Sequence, residues 1–129
     1  MPATDRPTKY LVALLAGAGV VHFVAPRGFD STVPPWLPGR ARTYTQVSGA
    51  VELLLAAGVA LPATRRMSAR AAAGLFVAVF PANVQMAYDW RNRPAPLKAA
   101  ALARLPLQLP LVAWAAKVSR SARGGGAAR

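Results

Sequence analysis

Four apolar runs separated by short basic or proline-containing segments set the pattern of this chain. They are Tyr10 to Ala25 (YLVALLAGAGVVHFVA), Thr45 to Leu61 (TQVSGAVELLLAAGVAL), Ala69 to Met86 (ARAAAGLFVAVFPANVQM) and Lys98 to Ala116 (KAAALARLPLQLPLVAWAA). As a helix, the second run rises about 26 Å, near the lower limit for crossing a bilayer. The pattern predicts an all-α protein, an integral membrane four-helix bundle with short loops. Its spans fall at about 10–25, 45–61, 69–86 and 98–116, within a transmembrane domain over 10–118.

The segments between the runs read as connectors. Residues 1–9 form a flexible lead, and 119–129 a flexible basic tail rich in glycine. Arg6 and Lys9 ahead of the first run also suit a signal peptide cleaved near Ala16-Gly17-Ala18, but the run continues past that point. Gly17 and Gly19 are expected to let a neighbouring helix approach closely. Pro26 to Thr43 is expected to be a loop, because Pro34, Pro35 and Pro38 exclude a regular helix interior. Its Trp36 and Leu37 form either an ordinary interfacial anchor or a gate above the helices. Pro62 to Ser68 is a tight basic turn, and Tyr88 to Leu97 a second loop. Pro81 in the third run frees a backbone carbonyl that a neighbour or water must satisfy.

Composition agrees with the pattern. Hydrophobic residues make up 54% of the 129 and charged ones only 16%, below the roughly 25% of soluble domains. The net charge of +12 does not imply nucleic acid, because the cations flank apolar spans instead of sharing a soluble face with stacking aromatics. They fit retention of chain ends beside anionic lipid. With the N-terminus inside, Arg6, Lys9, Arg65, Arg66, Arg70, Lys117, Arg120, Arg123 and Arg129 are cytoplasmic. Arg27, Arg40, Arg42, Arg91, Arg93 and Lys98 are then outside. Nine against six favours both termini in the cytoplasm of a bacterial inner membrane. The chain has no cysteine and one histidine, which excludes thiol chemistry and disfavours a protein-ligated metal.

Within this threading the intramembrane polar residues share a depth. His22, Glu52, Asn83 and Arg104 come one from each span, all in the outer half and within about 6 Å of one another along the axis. A bare charge at such depth costs roughly 2.5–3.5 kcal/mol on insertion scales, so Glu52 must be protonated, paired or turned to a polar cavity. The expected solution is a Glu52–Arg104 ion pair, with His22, Asn83 and Gln108 completing the hydrogen bonds. Such a layer is either architecture that fixes which helix faces which, or a ligand or proton site. No phosphate loop, nucleophile elbow or zinc-protease motif is present, and no catalytic residue is assigned.

Gly19-Val20-Val21-His22-Phe23 with Pro26 and Phe29, then Val33-Pro34-Pro35-Trp36-Leu37-Pro38, carry a resemblance. Ser48-Gly49 with Glu52, Pro62 with Arg65-Arg66, and Phe80-Pro81-Ala82-Asn83 with Met86-Ala87 extend it over about residues 17–90. In this order and spacing they resemble the DoxX-like family of small four-helix bacterial membrane proteins. The resemblance implies an inner-membrane protein and an accessory subunit linked to quinone or thiosulfate-type redox, acting with membrane or soluble redox enzymes. A quinone is the cofactor it suggests, and a homo-oligomer is compatible with it. Two other readings stay open: a small proton-coupled multidrug-type transporter, and a structural scaffold with no ligand.

Overall fold

The computed structural model describes residues 5–127, with side chains through residue 122. Residues 1–4 of the expected lead and 128–129 of the expected tail lie outside the described residues. All regular structure among the described residues is helical: α1 Arg6–Val24, α2 Pro26–Asp30, α3 Ala41–Ala60, α4 Arg65–Ala78, α5 Phe80–Asp89 and α6 Ala95–Ala127. Three helical stretches are long and apolar enough to cross a membrane: Arg6–Val24, Arg65–Asp89 and Ala95–Ala122. The expected second span is helical but is not among them. Arg42, Thr43, Thr45, Gln46, Ser48 and Glu52 dilute the apolar character of α3.

Several boundaries differ from expectation for local reasons. The first helix begins at Arg6, four residues before the apolar run, because Asp5 caps it by accepting from the Thr8 N–H at 2.9 Å. Pro7 falls in the first turn, where its missing donor costs nothing. The expected loop after α1 contains the short helix α2, with Pro26 at its start. The basic turn after α3 is only Leu61–Thr64, and Arg65 to Ser68 already belong to α4. Arg65 closes that turn by donating from Nε to the Val59 carbonyl at 2.8 Å and from Nη2 to the Ala60 carbonyl at 2.9 Å. A cation on the last carbonyls of α3 also suits the helix dipole. The third run breaks at Val79, two residues before Pro81. The last helix continues through Pro106 and Pro110, and its backbone stays helical to Ala127 where a flexible tail is expected from residue 119 onward.

Packing is strongest between α1 and α3 and between α4 and α6, with α3 against α4 joining the two pairs. The dry core lies toward the start of α1 and the end of α6. Leu11 and Leu15 of α1, Val59 of α3, Ala69, Ala72 and Phe76 of α4, and Ala115 and Val118 of α6 are buried there. Alanine at three of these positions lets backbones approach closely, which matters where lipid removes the hydrophobic drive between helices. Two interhelical hydrogen bonds close this end: Trp114 Nε1 to the Pro7 carbonyl at 2.8 Å, and Ser119 Oγ to the Arg66 carbonyl at 3.3 Å. The outward faces are apolar, with Leu54 73% and Leu109 75% exposed.

Candidate functional site

The site begins with two glycines. A Cβ on Gly19 would lie 2.8 Å from Leu53 Cγ and 3.0 Å from the Gly49 carbonyl oxygen, and one on Gly49 would lie 2.8 Å from His22 Cβ. The α1 and α3 backbones therefore meet at Gly19 and Gly49, and only glycine fits there. Gly17 has nothing near it, so the close approach expected of both α1 glycines belongs to Gly19 alone.

One turn beyond each crossing glycine comes a polar residue, His22 in α1 and Glu52 in α3. The i, i+3 spacing puts glycine and polar group on one face, so the crossing brings imidazole and carboxylate together. His22 Nδ1 lies 3.1 Å from Glu52 Oε2 and 2.6 Å from the Ala18 carbonyl. With its proton on Nδ1, the ring's hydrogen bond runs to Ala18. Glu52 Oε2 is then buried without a hydrogen-bond donor. The other face of the imidazole is covered by Phe29 of α2, with ring centroids 3.7 Å apart and planes at 19°.

This corrects the expected ion pair. The partner of Glu52 is His22, and no Glu52–Arg104 bridge forms among the described residues. Arg104 directs Nη1 to Met86 Sδ at 3.7 Å instead. Depth along the chain puts Glu52 and Arg104 in one layer, but lateral neighbours are set by helix crossing, and the α1–α3 contact claims Glu52.

The layer nonetheless converges on one space. A cavity of about 510 Å³ lies beyond the dry core, and His22, Glu52, Asn83, Arg104 and Gln108 all line it. Gln108 donates to the Phe76 carbonyl at 2.5 Å, beside the break ahead of Pro81. The carbonyl that Pro81 leaves without its i+4 donor is that of Val77, so Gln108 serves its neighbour, Phe76, at the helix break. Asn83 is buried at the cavity wall. Leu15, Leu75, Phe76 and Leu111 give the cavity apolar walls.

The proline loop covers part of this space. Pro34 and Leu37 line the cavity, whereas Trp36 does not. Trp36 is 68% exposed and donates from Nε1 to Gln85 Oε1 at 3.4 Å. Of the two expected gate residues, Leu37 faces the cavity and Trp36 ties the loop to α5. At the loop's base Asp30 accepts from Thr45 Oγ1 at 2.6 Å and pairs with Arg42 Nε at 2.9 Å.

Thr45 and Ser48 also line the cavity, although neither belongs to the polar layer expected from sequence. The signal was available: Thr45, Ser48 and Glu52 recur at i, i+3 and i+7, one polar stripe along α3.

The family described as a domain of unknown function (DUF8561) matches residues 11–119. The chain belongs to the DUF8561 family. The matched stretch includes every polar residue of the cavity, the proline loop and both crossing glycines. No curated protein and no solved structure matches this DUF8561 chain, so its chemistry is argued from the cavity itself.

Proposed function

We propose that this chain is a four-helix integral protein of the bacterial inner membrane, DoxX-like in type. In this reading it is an accessory subunit whose cavity holds a quinone-type headgroup. The carrying observation is that five polar side chains from four long helical stretches line one cavity of about 510 Å³ with apolar walls. That volume and polarity suit a small amphipathic ligand. The three long apolar helices and the apolar outer faces support the membrane placement. The 20 residues of α3 rise about 30 Å, enough to make a fourth span. Asn83 and Arg104 would donate to the headgroup oxygens, and Leu37 would close the space above them.

The test is titration of the detergent-purified protein with a short-chain quinone analogue. Binding is expected for the native chain, and loss for a folded Glu52→Gln/Arg104→Met variant. A double variant that folds and fully complements a deletion strain would make the layer architecture alone.

The His22–Glu52 contact also supports a second reading, proton-coupled export of a lipophilic cation. A fixed guanidinium beside Glu52 would oppose a cationic substrate, and Arg104 is not its partner. Proton-driven efflux from proteoliposomes that is abolished by Glu52→Gln would favour this second reading over the first.

A further inference from the structure

A second cavity, of about 490 Å³, lies at the other end of the molecule, where the start of α1 meets the later turns of α6. Pro7 and Tyr10 form one wall, Pro110 and Trp114 the other, and Ala113 is too small to fill the space between them. Trp114 is fixed there by its 2.8 Å bond to the Pro7 carbonyl. The charged residues in the lining are both cations, Arg6 and Lys117, and both are exposed. The ion pairs among the described residues are His22–Glu52 and Arg42–Asp30, so neither cation has a carboxylate partner there. Asp5 is close by and its carboxylate attracts Lys117 through space, but it forms no ion pair there and accepts from the Thr8 N–H.

An apolar groove with two unpaired cations and flanking Tyr and Trp has the make-up of a membrane-interface site. Basic pockets between membrane helices take anionic lipid headgroups. We propose that this groove binds one anionic phospholipid, its phosphate held by Arg6 and Lys117 and an acyl chain lying against Tyr10, Pro110 and Ala113. The proposal rests on the membrane placement of the helices and not on any ligand in the polar cavity.

Native mass spectrometry of the detergent-purified full chain tests it, with dioleoyl phosphatidylglycerol, dioleoyl phosphatidylcholine and inorganic phosphate as probes. The native protein should retain phosphatidylglycerol in preference to phosphatidylcholine. Each cation accounts for about fivefold in affinity, so Arg6→Gln/Lys117→Gln should weaken retention about thirtyfold. Arg27→Gln/Arg91→Gln, at the opposite end, should leave retention unchanged. Equal retention of the two lipids, or equal loss in the two double variants, would overturn the site. Displacement of the lipid by millimolar phosphate would also overturn it, leaving a simple anion site. Binding of the quinone analogue by Arg6→Gln/Lys117→Gln should match that of the native chain, which separates this site from the polar cavity. Recovery of the protein without detergent would sink the membrane placement instead.

Discussion

At the scale of single residues, the contact that most changes the chemistry is the 3.1 Å approach of His22 to Glu52. Residues in contact show interaction energies of about 0.5–3 kcal/mol in double-mutant cycles, and polar contacts between membrane helices fall toward the lower end. A thermal-unfolding cycle on His22→Ala and Glu52→Gln should therefore give a clear coupling. The same cycle on Glu52→Gln and Arg104→Met should close to within about 0.5 kcal/mol. Comparable coupling in both cycles would restore Arg104 as a partner of the carboxylate. The membership of the layer was legible because polar residues in apolar runs stand out one by one. Their pairing was not, since sequence gives depth along each helix but not which helix lies beside it. Asp30 offers a separate test outside the spans. The Thr45 hydroxyl foremost, then the Arg42 guanidinium, hold its carboxyl below the ordinary value of 3.8, outweighing partial desolvation. A depressed value means stability that is present above about pH 4 and lost as pH falls through the lower, folded value. Unfolding of the native protein should become easier across that acid window, and Asp30→Asn should flatten the dependence. An unchanged acid slope in Asp30→Asn would show that the loop anchor contributes nothing.

Among the helices, glycine position separates packing from propensity. Gly49→Ala places a methyl 2.8 Å from His22 Cβ, 2.9 Å from Phe23 Cε2 and 3.1 Å from the Gly19 carbonyl. Two of those atoms are fixed close to the backbone, so α1 and α3 must separate, at a cost of about 1–3 kcal/mol. Gly17 and Gly74 are also helical but have open space around them. Alanine there should be neutral or stabilising by up to about 1 kcal/mol through helix propensity. Melting temperatures in one detergent would check the contrast, and equal losses at Gly49 and Gly17 would refute the crossing. The long helices were legible, because apolar runs of this length permit little else; the short α2 was not. Ends were harder to read. The Asp5 cap starts α1 inside a stretch that looks like a polar lead, and Pro26 opens α2 at the head of a segment that Pro34, Pro35 and Pro38 mark as a loop. Pro81 signals a freed carbonyl within one continuous run, but not the break at Val79. The residue that serves the carbonyl beside it, Gln108, lies in another helix and so could not be paired with it from sequence.

For the whole molecule, hydrogen bonds between distant segments sort the helix ends into two groups. Trp114 with Pro7 and Ser119 with Arg66 tie together the start of α1, the start of α4 and the later turns of α6. Trp36 with Gln85 ties the proline loop to the end of α5. In the proposed membrane placement these contacts agree with an up-and-down threading of the apolar runs, with α4 and α5 as one traverse. They fix which ends share a side and leave the direction to charge. In the threading expected from sequence, the side that carries Arg6, Lys9, Arg65 and Lys117 has nine cations against six on the other. Positive charge near span ends is retained in the cytoplasm. Reporter fusions at Arg66 and Arg120 should therefore read as cytoplasmic, and fusions at Asp30 and Asn92 as exported. The proposed anionic-lipid groove is compatible with that direction, since Arg6 and Lys117, two of the nine, would then face the negatively charged inner leaflet. An exported reporter at Arg120 together with a cytoplasmic one at Asp30 would invert the protein. The polar cavity would then open toward the cytoplasm, and any partner delivering its ligand would have to be sought there.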